Sequence, residues 1–286
     1  MSRGDSCITL TATDGYPLTI RCWEARDAKA VIVIVHGVIS HSLWLAPIAE
    51  KLVASNITVI CPDRRGTGAN HQARGDAPDE SSLLEDLCMV IANFKTRETP
   101  MHLAGFCWGS NYLVNFLCRH HPDISSLALL APALFPAADL RNADLRVDDT
   151  PEPTEIPLVP LDAFTRGPAY EGFILPDPMR LKHVSPRFNR IMQTFSRMIG
   201  VKLLKLQYPV LMILAQEDRI TDNETTAEVF NRLQVYPKQL VYVPGEHGIQ
   251  FDAPLEAANA LTTWINQFDT KNLTQTTAMQ EAIAET

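Results

Sequence analysis

The run Gly105-Phe106-Cys107-Trp108-Gly109 places a thiol between two glycines, where a short apolar run ends and a helical pattern begins. A residue in that position can sit on a sharp strand-to-helix turn with its side chain exposed, which is the form of a nucleophile elbow with sulfur at its centre. The glycines let neighbouring backbone approach, and the helix N-terminus supplies amide donors and a positive end, a setting that favours a thiolate. A cysteine nucleophile needs a base, and the base needs an orienting carboxylate. Downstream, Gln216-Glu217-Asp218-Arg219-Ile220 follows one apolar run and Pro244-Gly245-Glu246-His247-Gly248 follows another. The reading is Cys107 as nucleophile, His247 as general base and Asp218 as its orienting acid. Glu217 and Asp222 are nearby alternatives for the acid, with Asp222 better placed to cap the next helix.

The remaining candidates have plainer readings. Ser110 lies outside the glycine frame and inside the predicted helix, a poor place for a nucleophile. His36 ends a buried run before Gly37 and suits a structural hydrogen bond in the loop. His71, His102, His120, His121 and His183 lack a matching acid, no cluster has metal-ligand spacing, and no cofactor is called for. Of six cysteines, Cys7, Cys22 and Cys61 fall in predicted strands and Cys88 and Cys118 in predicted helices, where cysteine packs as a small apolar residue. In a chain with no export signal, a reducing compartment is the better context for them than a disulfide framework.

The elements that must hold these residues alternate. Ser6 to Leu10 and Leu18 to Trp23, joined through Asp14-Gly15, read as a hairpin, because Asp-Gly is a strong turn signal. Val31 to Val35 is a β-branched run suited to a strand buried on both faces. Helical spacing over Leu43 to Ala54 is followed by a strand, Ile57 to Cys61. A helix is predicted from about Ser82, with Ser82-x-x-Glu85 as its capping box. Strand Met101 to Phe106, helix Trp108 to His120 and strand Leu127 to Leu130 follow. From Ala133 to Leu206 the alternation stops, and Pro157, Pro160, Pro168, Pro176, Pro178 and Pro186 would break any long helix, so this stretch reads as a cap of short helices. Its most helical part is Pro186 to Met198. Alternation resumes with strand Val210 to Ala215, a helix near Thr225 to Arg232, strand Gln239 to Val243 and a helix from Leu255 to Phe268. Both downstream groups therefore fall at strand C-termini on the edge that carries Cys107, which is where open α/β sheets place their sites. The expected division is a core of 1–132 and 207–270, a cap of 133–206 and a polar tail of 271–286.

With 286 residues, 46% of them hydrophobic and 20% charged, the chain supports one large globular domain with an insertion. A net charge of -8 argues against nucleic acid and anionic polymers as partners. The apolar run at residues 28–35 is too short to span a bilayer and is not followed by a signal cleavage site, so the expectation is a cytoplasmic protein without stable membrane insertion.

Nearly the whole chain resembles the α/β-hydrolase superfamily. His36-Gly37-Val38-Ile39-Ser40-His41-Ser42 is similar to the H-G-x-x-x-H-S loop of the monoacylglycerol-lipase and lysophospholipase-like branch, and Asp63-Arg64-Arg65-Gly66-Thr67-Gly68 to its D-x-R-G-x-G loop. The order nucleophile, acid, histidine is also that of the superfamily. The resemblance implies a mostly parallel eight-stranded sheet flanked by helices, with a cap inserted after the sixth strand. It further implies an oxyanion hole formed by the backbone amides of Val38 and Trp108, while Asp63 and Arg65 stabilise their loop. Most members place serine in the elbow, and Cys107 departs from that pattern. Attack of a thiolate on an ordinary ester gives an intermediate from which sulfur is the better leaving group, whereas on a thioester the two leaving groups are matched. The expected function is therefore a thioesterase or an acyl or aminoacyl transferase working through acyl-S-Cys107, with a CoA, pantetheine or carrier-protein thioester as substrate. Such stand-alone cysteine members serve carrier-bound thioester chemistry. The alternative is a lipase-like carboxylester hydrolase in which cysteine, natural or introduced, stands for serine; a third reading is a binding protein that keeps the fold without catalysis.

Overall fold

The computed structural model describes residues 5–137, 156–157 and 161–268. The strands are β1 (Ser6–Thr11), β2 (Pro17–Trp23), β3 (Ala30–Val35), β4 (Ile57–Pro62), β5 (Met101–Phe106), β6 (Ser126–Leu130), β7 (Ile156–Pro157), β8 (His183–Val184), β9 (Val210–Ala215) and β10 (Lys238–Val243). The helices are α1 (Ala46–Ala54), α2 (Glu80–Phe94), α3 (Trp108–His120), α4 (Pro186–Ser196), α5 (Ile199–Leu204), α6 (Asn223–Asn231), α7 (Ile249–Asp252) and α8 (Pro254–Ile265). Eight strands form one sheet in the order β1-β2-β4-β3-β5-β6-β9-β10. The β1–β2 and β2–β4 pairs are antiparallel and the others parallel. This is the α/β-hydrolase fold with a mostly parallel eight-stranded sheet.

The sequence explains the layering. β3, β5, β6 and β9 are nearly continuous apolar runs because both of their faces are covered. On one face lie α2 and α3, packing Leu87, Val90, Leu113 and Leu117 against Val33, Leu103 and Leu129. On the other lie α1 and α8, packing Ile48, Leu52, Leu261 and Trp264 against Ile32, Ile34 and Ile213. The hairpin turns at Gly15, whose φ of +84° a side chain would resist, and the Asp14 carboxylate accepts from the Tyr16 amide.

Four expectations are corrected. The segment at 43–54 starts as a single 3₁₀ turn, Ser42–Leu45, and becomes α-helical at Ala46, since Pro47 fits the first turn, where its missing N–H leaves no orphan. α2 begins ahead of Ser82 because Asp79 is its cap, accepting from the Ser82 amide at 2.7 Å and from the Ser82 hydroxyl at 2.9 Å. The helix expected over Pro186 to Met198 ends at Ser196; Met198 adopts φ +54° and the chain restarts as α5. Cys7 is exposed on the edge strand β1 and does not pack in the core, whereas Cys22 and Cys61 are buried; all six cysteines are free. Of the expected cap, residues 138–155 and 158–160 lie outside the described residues, as does the tail 271–286. Within the described part, the short pair β7–β8 was not expected. Among the described residues no helix is long and apolar enough to cross a membrane.

Candidate active site

The parallel register lines up the strand ends. Val35 pairs with Gly105, Phe106 with Leu130, and Ala215 with Val243. The residues that follow these strands, starting at His36, Cys107, Ala131, Gln216 and Pro244, therefore emerge on one edge of the sheet. Asp218 and His247 are carried there by adjacent loops, which are joined by Gln216 N donating to Val243 O and Glu217 N to Gly245 O.

Cys107 occupies the turn between β5 and α3 with φ +54° and ψ -126°, a conformation unfavourable for a residue with a β-carbon. The turn is held by Cys107 N donating to Leu130 O at 3.0 Å and by Ser110 N and Ala133 N donating to Cys107 O. It requires glycine on both sides. A β-carbon on Gly105 would lie 2.7 Å from Gly109 O and from Ser110 N, and one on Gly109 would run into Val35 O. The Ser110 hydroxyl is committed to Gly105 O at 2.8 Å, which fits the expectation that it is not a nucleophile.

His247 and Asp218 are fully buried, and Nδ1 of the imidazole lies 2.8 Å from Asp218 Oδ2. The second carboxylate oxygen, Oδ1, accepts from the amides of Ile220 at 2.8 Å and Thr221 at 2.9 Å. Burial alone would raise the Asp218 pKa, but His247 and these two amides outweigh it and hold the carboxyl below its usual range. With the carboxylate at Nδ1, Nε2 is free to act on substrate. It has no hydrogen bond of ordinary geometry among the described residues. Burial works against the charged imidazole, but the Asp218 charge and then Cys107 raise its pKa to about 10. The ring is boxed in by Phe106 at 5.8 Å and by Phe164 at 5.2 Å. Phe164 belongs to the stretch read as cap; its carbonyl also accepts from Gly248 N, and nothing in the sequence marks it.

The carboxylate on His247 is that of Asp218 and not of Glu217, one alternative acid, and Asp222 caps α6, accepting from Thr225 N at 2.9 Å. His36 is structural: its Nε2 accepts from Arg64 N, so Nδ1 donates to Gly37 O at 2.7 Å. Burial, with the neighbouring Arg64 charge, keeps the His36 pKa well below 6.5, so it stays neutral. Asp63 accepts from Ser42 N and Ala69 N, and Arg65 pairs with Asp86 and Asp14; both stabilise their loops. The Gly37 loop reaches the elbow, since a β-carbon on Gly37 would lie 2.9 Å from Cys107 Cβ and 3.3 Å from its Sγ. Val38 follows on that loop, and Trp108 opens α3 immediately after Cys107.

The cap is fastened to the same loop. Asp177 Oδ2 accepts from His41 Nε2 at 2.8 Å and from Trp44 Nε1 at 2.5 Å, and Leu181 N donates to Ile39 O. Beside Cys107, Trp108 stacks on Phe195 at 5.7 Å and meets Phe188 at 5.6 Å, both from α4 and both part of the buried core. No pattern along the chain marks these contacts. Among the described residues no group of three metal-ligating side chains is found.

The sequence is similar over 253 residues to phospholipase YtpA of Bacillus subtilis (strain 168), at 24% identity, covering 84% of this chain and 97% of that protein. In fold it is similar to a soluble variant of monoglyceride lipase from Saccharomyces cerevisiae, with a TM-score of 0.81 at 17% identity, covering 94% of this chain and 97% of that one. It is also similar to a monoacylglycerol lipase from Paleococcus ferrophilus, with a TM-score of 0.73 at 18% identity, covering 86% and 97%. Residues 26–254 match the model of the family Hydrolase_4, described as serine aminopeptidase, S33. The chain therefore belongs to that hydrolase family, on the α/β-hydrolase fold.

Proposed function

We propose that this protein is a carboxylester hydrolase that acts on acyl esters of apolar chains through Cys107, His247 and Asp218. The observation that carries the reading is the fully buried Asp218–His247 pair, 2.8 Å apart, on the strand edge where Cys107 stands in a glycine-framed, positive-φ turn. The similarity to phospholipase YtpA and to the two lipases supports an ester over a thioester as the primary substrate. In the proposed cycle, the Cys107 proton rests on His247 Nε2, as the raised imidazole pKa favours, while Sγ bonds to the acyl carbon and the carbonyl pair moves onto oxygen, facing the Val38 and Trp108 amides. Collapse expels the alcohol, which receives the proton from His247. Water then gives a proton to the same nitrogen and its oxygen to the acyl carbon, and Cys107 leaves as the thiolate. Asp218 orients the ring throughout. No cofactor takes part in this scheme.

A second reading, thioester cleavage or acyl transfer from CoA, pantetheine or a carrier, is favoured by one feature, the sulfur at position 107. With a thioester the intermediate partitions evenly between two thiolates, while an ester must expel a more basic alkoxide. One experiment separates the readings: intact-mass analysis and steady-state turnover with parallel panels of acyl esters and acyl thioesters, on the wild-type chain and Cys107→Ala. Higher kcat/KM for esters, with activity and adduct abolished in Cys107→Ala, is the expected result. Faster acylation by thioesters with negligible ester turnover would replace the first reading by the second. An adduct that persists in Cys107→Ala would remove both.

A further inference from the structure

Arg64 is a buried cation that the loop motif does not account for. It is 3% exposed, and its Nη2 donates to the carbonyls of Gly37 at 2.8 Å and Val38 at 3.0 Å. Its Nε and Nη1 have no hydrogen-bond partner among the described residues. In place of a carboxylate, the guanidinium has aromatic rings: its carbon lies 5.1 Å from the Trp108 ring centre and 5.3 Å from that of Phe188. Burying a charge with so few partners is costly, and the neighbouring Asp63 acts on it only as a nearby charge, because its carboxylate accepts from Ser42 N and Ala69 N. Burial brings the Arg64 pKa down to about 10, so the side chain remains cationic at neutral pH.

The two carbonyls that Arg64 holds flank the Val38 residue. In a trans peptide the C=O and N–H point in opposite directions, so anchoring Gly37 O from the Arg64 side turns the Val38 N–H away from Arg64. His36 Nδ1 donates to the same oxygen at 2.7 Å, which leaves that peptide plane little freedom. The Gly37 loop in turn touches Cys107, and Trp108, whose amide follows the thiol, carries its ring against the guanidinium.

We propose that Arg64 is a positioning residue of the acyl-transfer step: it aims the Val38 N–H at the developing oxyanion and sets a permanent positive charge behind the two anion-stabilising amides. The role rests on the reading of Cys107 as nucleophile, and it applies to esters and thioesters alike because both pass through a tetrahedral oxyanion.

The test compares two reactions of one thiol in the full-length chain. Acylation by a p-nitrophenyl ester requires the oxyanion; alkylation by iodoacetamide, a displacement at saturated carbon, does not. In Arg64→Met, single-turnover acylation should fall by about tenfold to hundredfold, somewhat less than for loss of an oxyanion donor itself, while alkylation changes by less than about threefold. Arg64→Lys, which keeps the charge but offers one ammonium in place of the fork, should recover part of the loss. Should Arg64→Met fail to fold, Arg64→Gln and Arg64→Lys carry the same comparison. Equal losses in the two reactions, or unchanged acylation, would overturn the proposal. If the wild-type chain alkylates at Cys107 but is not acylated there, the underlying reading falls, and this role with it.

Discussion

At the scale of single residues, the chemistry depends on which nitrogen of His247 is free. Asp218 takes Nδ1, which in the proposed mechanism leaves Nε2 for the thiol and the substrate. Asp218→Asn should keep the geometry but allow the ring to present the wrong tautomer, lowering kcat by about 10²–10⁴-fold. The same change removes the largest factor that raises the imidazole pKa. NMR titration of the His247 ring should then show its pKa well below about 10, with a smaller drop in Cys107→Ala. An unchanged His247 titration in Asp218→Asn would show that the pair is not coupled in solution. Cys107, Asp218 and His247 could be proposed from the sequence because each lies in a short motif at a strand end. Arg64 and Phe164 could not, since their roles depend on partners such as Trp108, Phe188 and His247 that are distant along the chain.

At the scale of elements, the elbow is a packing solution as much as a chemical one. β5 must turn into α3 within one residue while Gly105 lies against Ser110 and Gly109 against β3. Gly105→Ala should therefore destabilise the fold by about 1–3 kcal/mol in urea denaturation, through overpacking against backbone that cannot move aside. Wild-type stability in that variant would mean that the turn has slack. The strands and long helices were legible because apolar spacing repeats within them. Their ends were less so: Asp79 and Ser82 are both good cap residues, and the choice between them is made where the backbone leaves extended geometry, with Asp79 at φ -163°. The break between α4 and α5 has the same origin, since no residue type at Met198 signals a positive φ.

At the scale of the molecule, the buried histidines contribute to how stability depends on pH, beside carboxyls such as Asp177 and Asp218 whose pKa is held low. His102, on β5, has Nδ1 2.8 Å from the Ser126 hydroxyl, which also accepts from Trp264 Nε1. Burial, with the Lys95 charge, lowers its pKa to about 4. Between pH 6.5 and about 4 the unfolded chain therefore binds a proton that the folded chain refuses, and stability falls by up to about 3 kcal/mol as pH drops through that window. His36 acts in the same direction. His247 acts oppositely: with its folded pKa raised, its contribution is complete below about 6.5 and is lost as pH rises through about 10. Urea titrations of wild type and His102→Asn from pH 4.5 to 6.5 should show a shallower pH slope in the variant. An equal slope would assign the acid sensitivity to other groups.

By itself the sequence determined the alternation of strand and helix, and it placed the three candidate residues, Cys107, His247 and Asp218, at strand ends on one edge of the sheet. These follow from local patterns: buried parallel strands must be apolar throughout, and a tight strand-to-helix turn must be framed by glycine. Tertiary structure alone decided how the reactive groups are supported. Asp177 closes on His41 and Trp44 across more than a hundred residues of chain, and Arg64 finds Trp108 and Phe188 only after the sheet and α4 have packed. Such contacts join residues with no shared periodicity, so no pattern along the chain records them. They exist because a buried charge or donor must find a partner among whatever the fold brings near it.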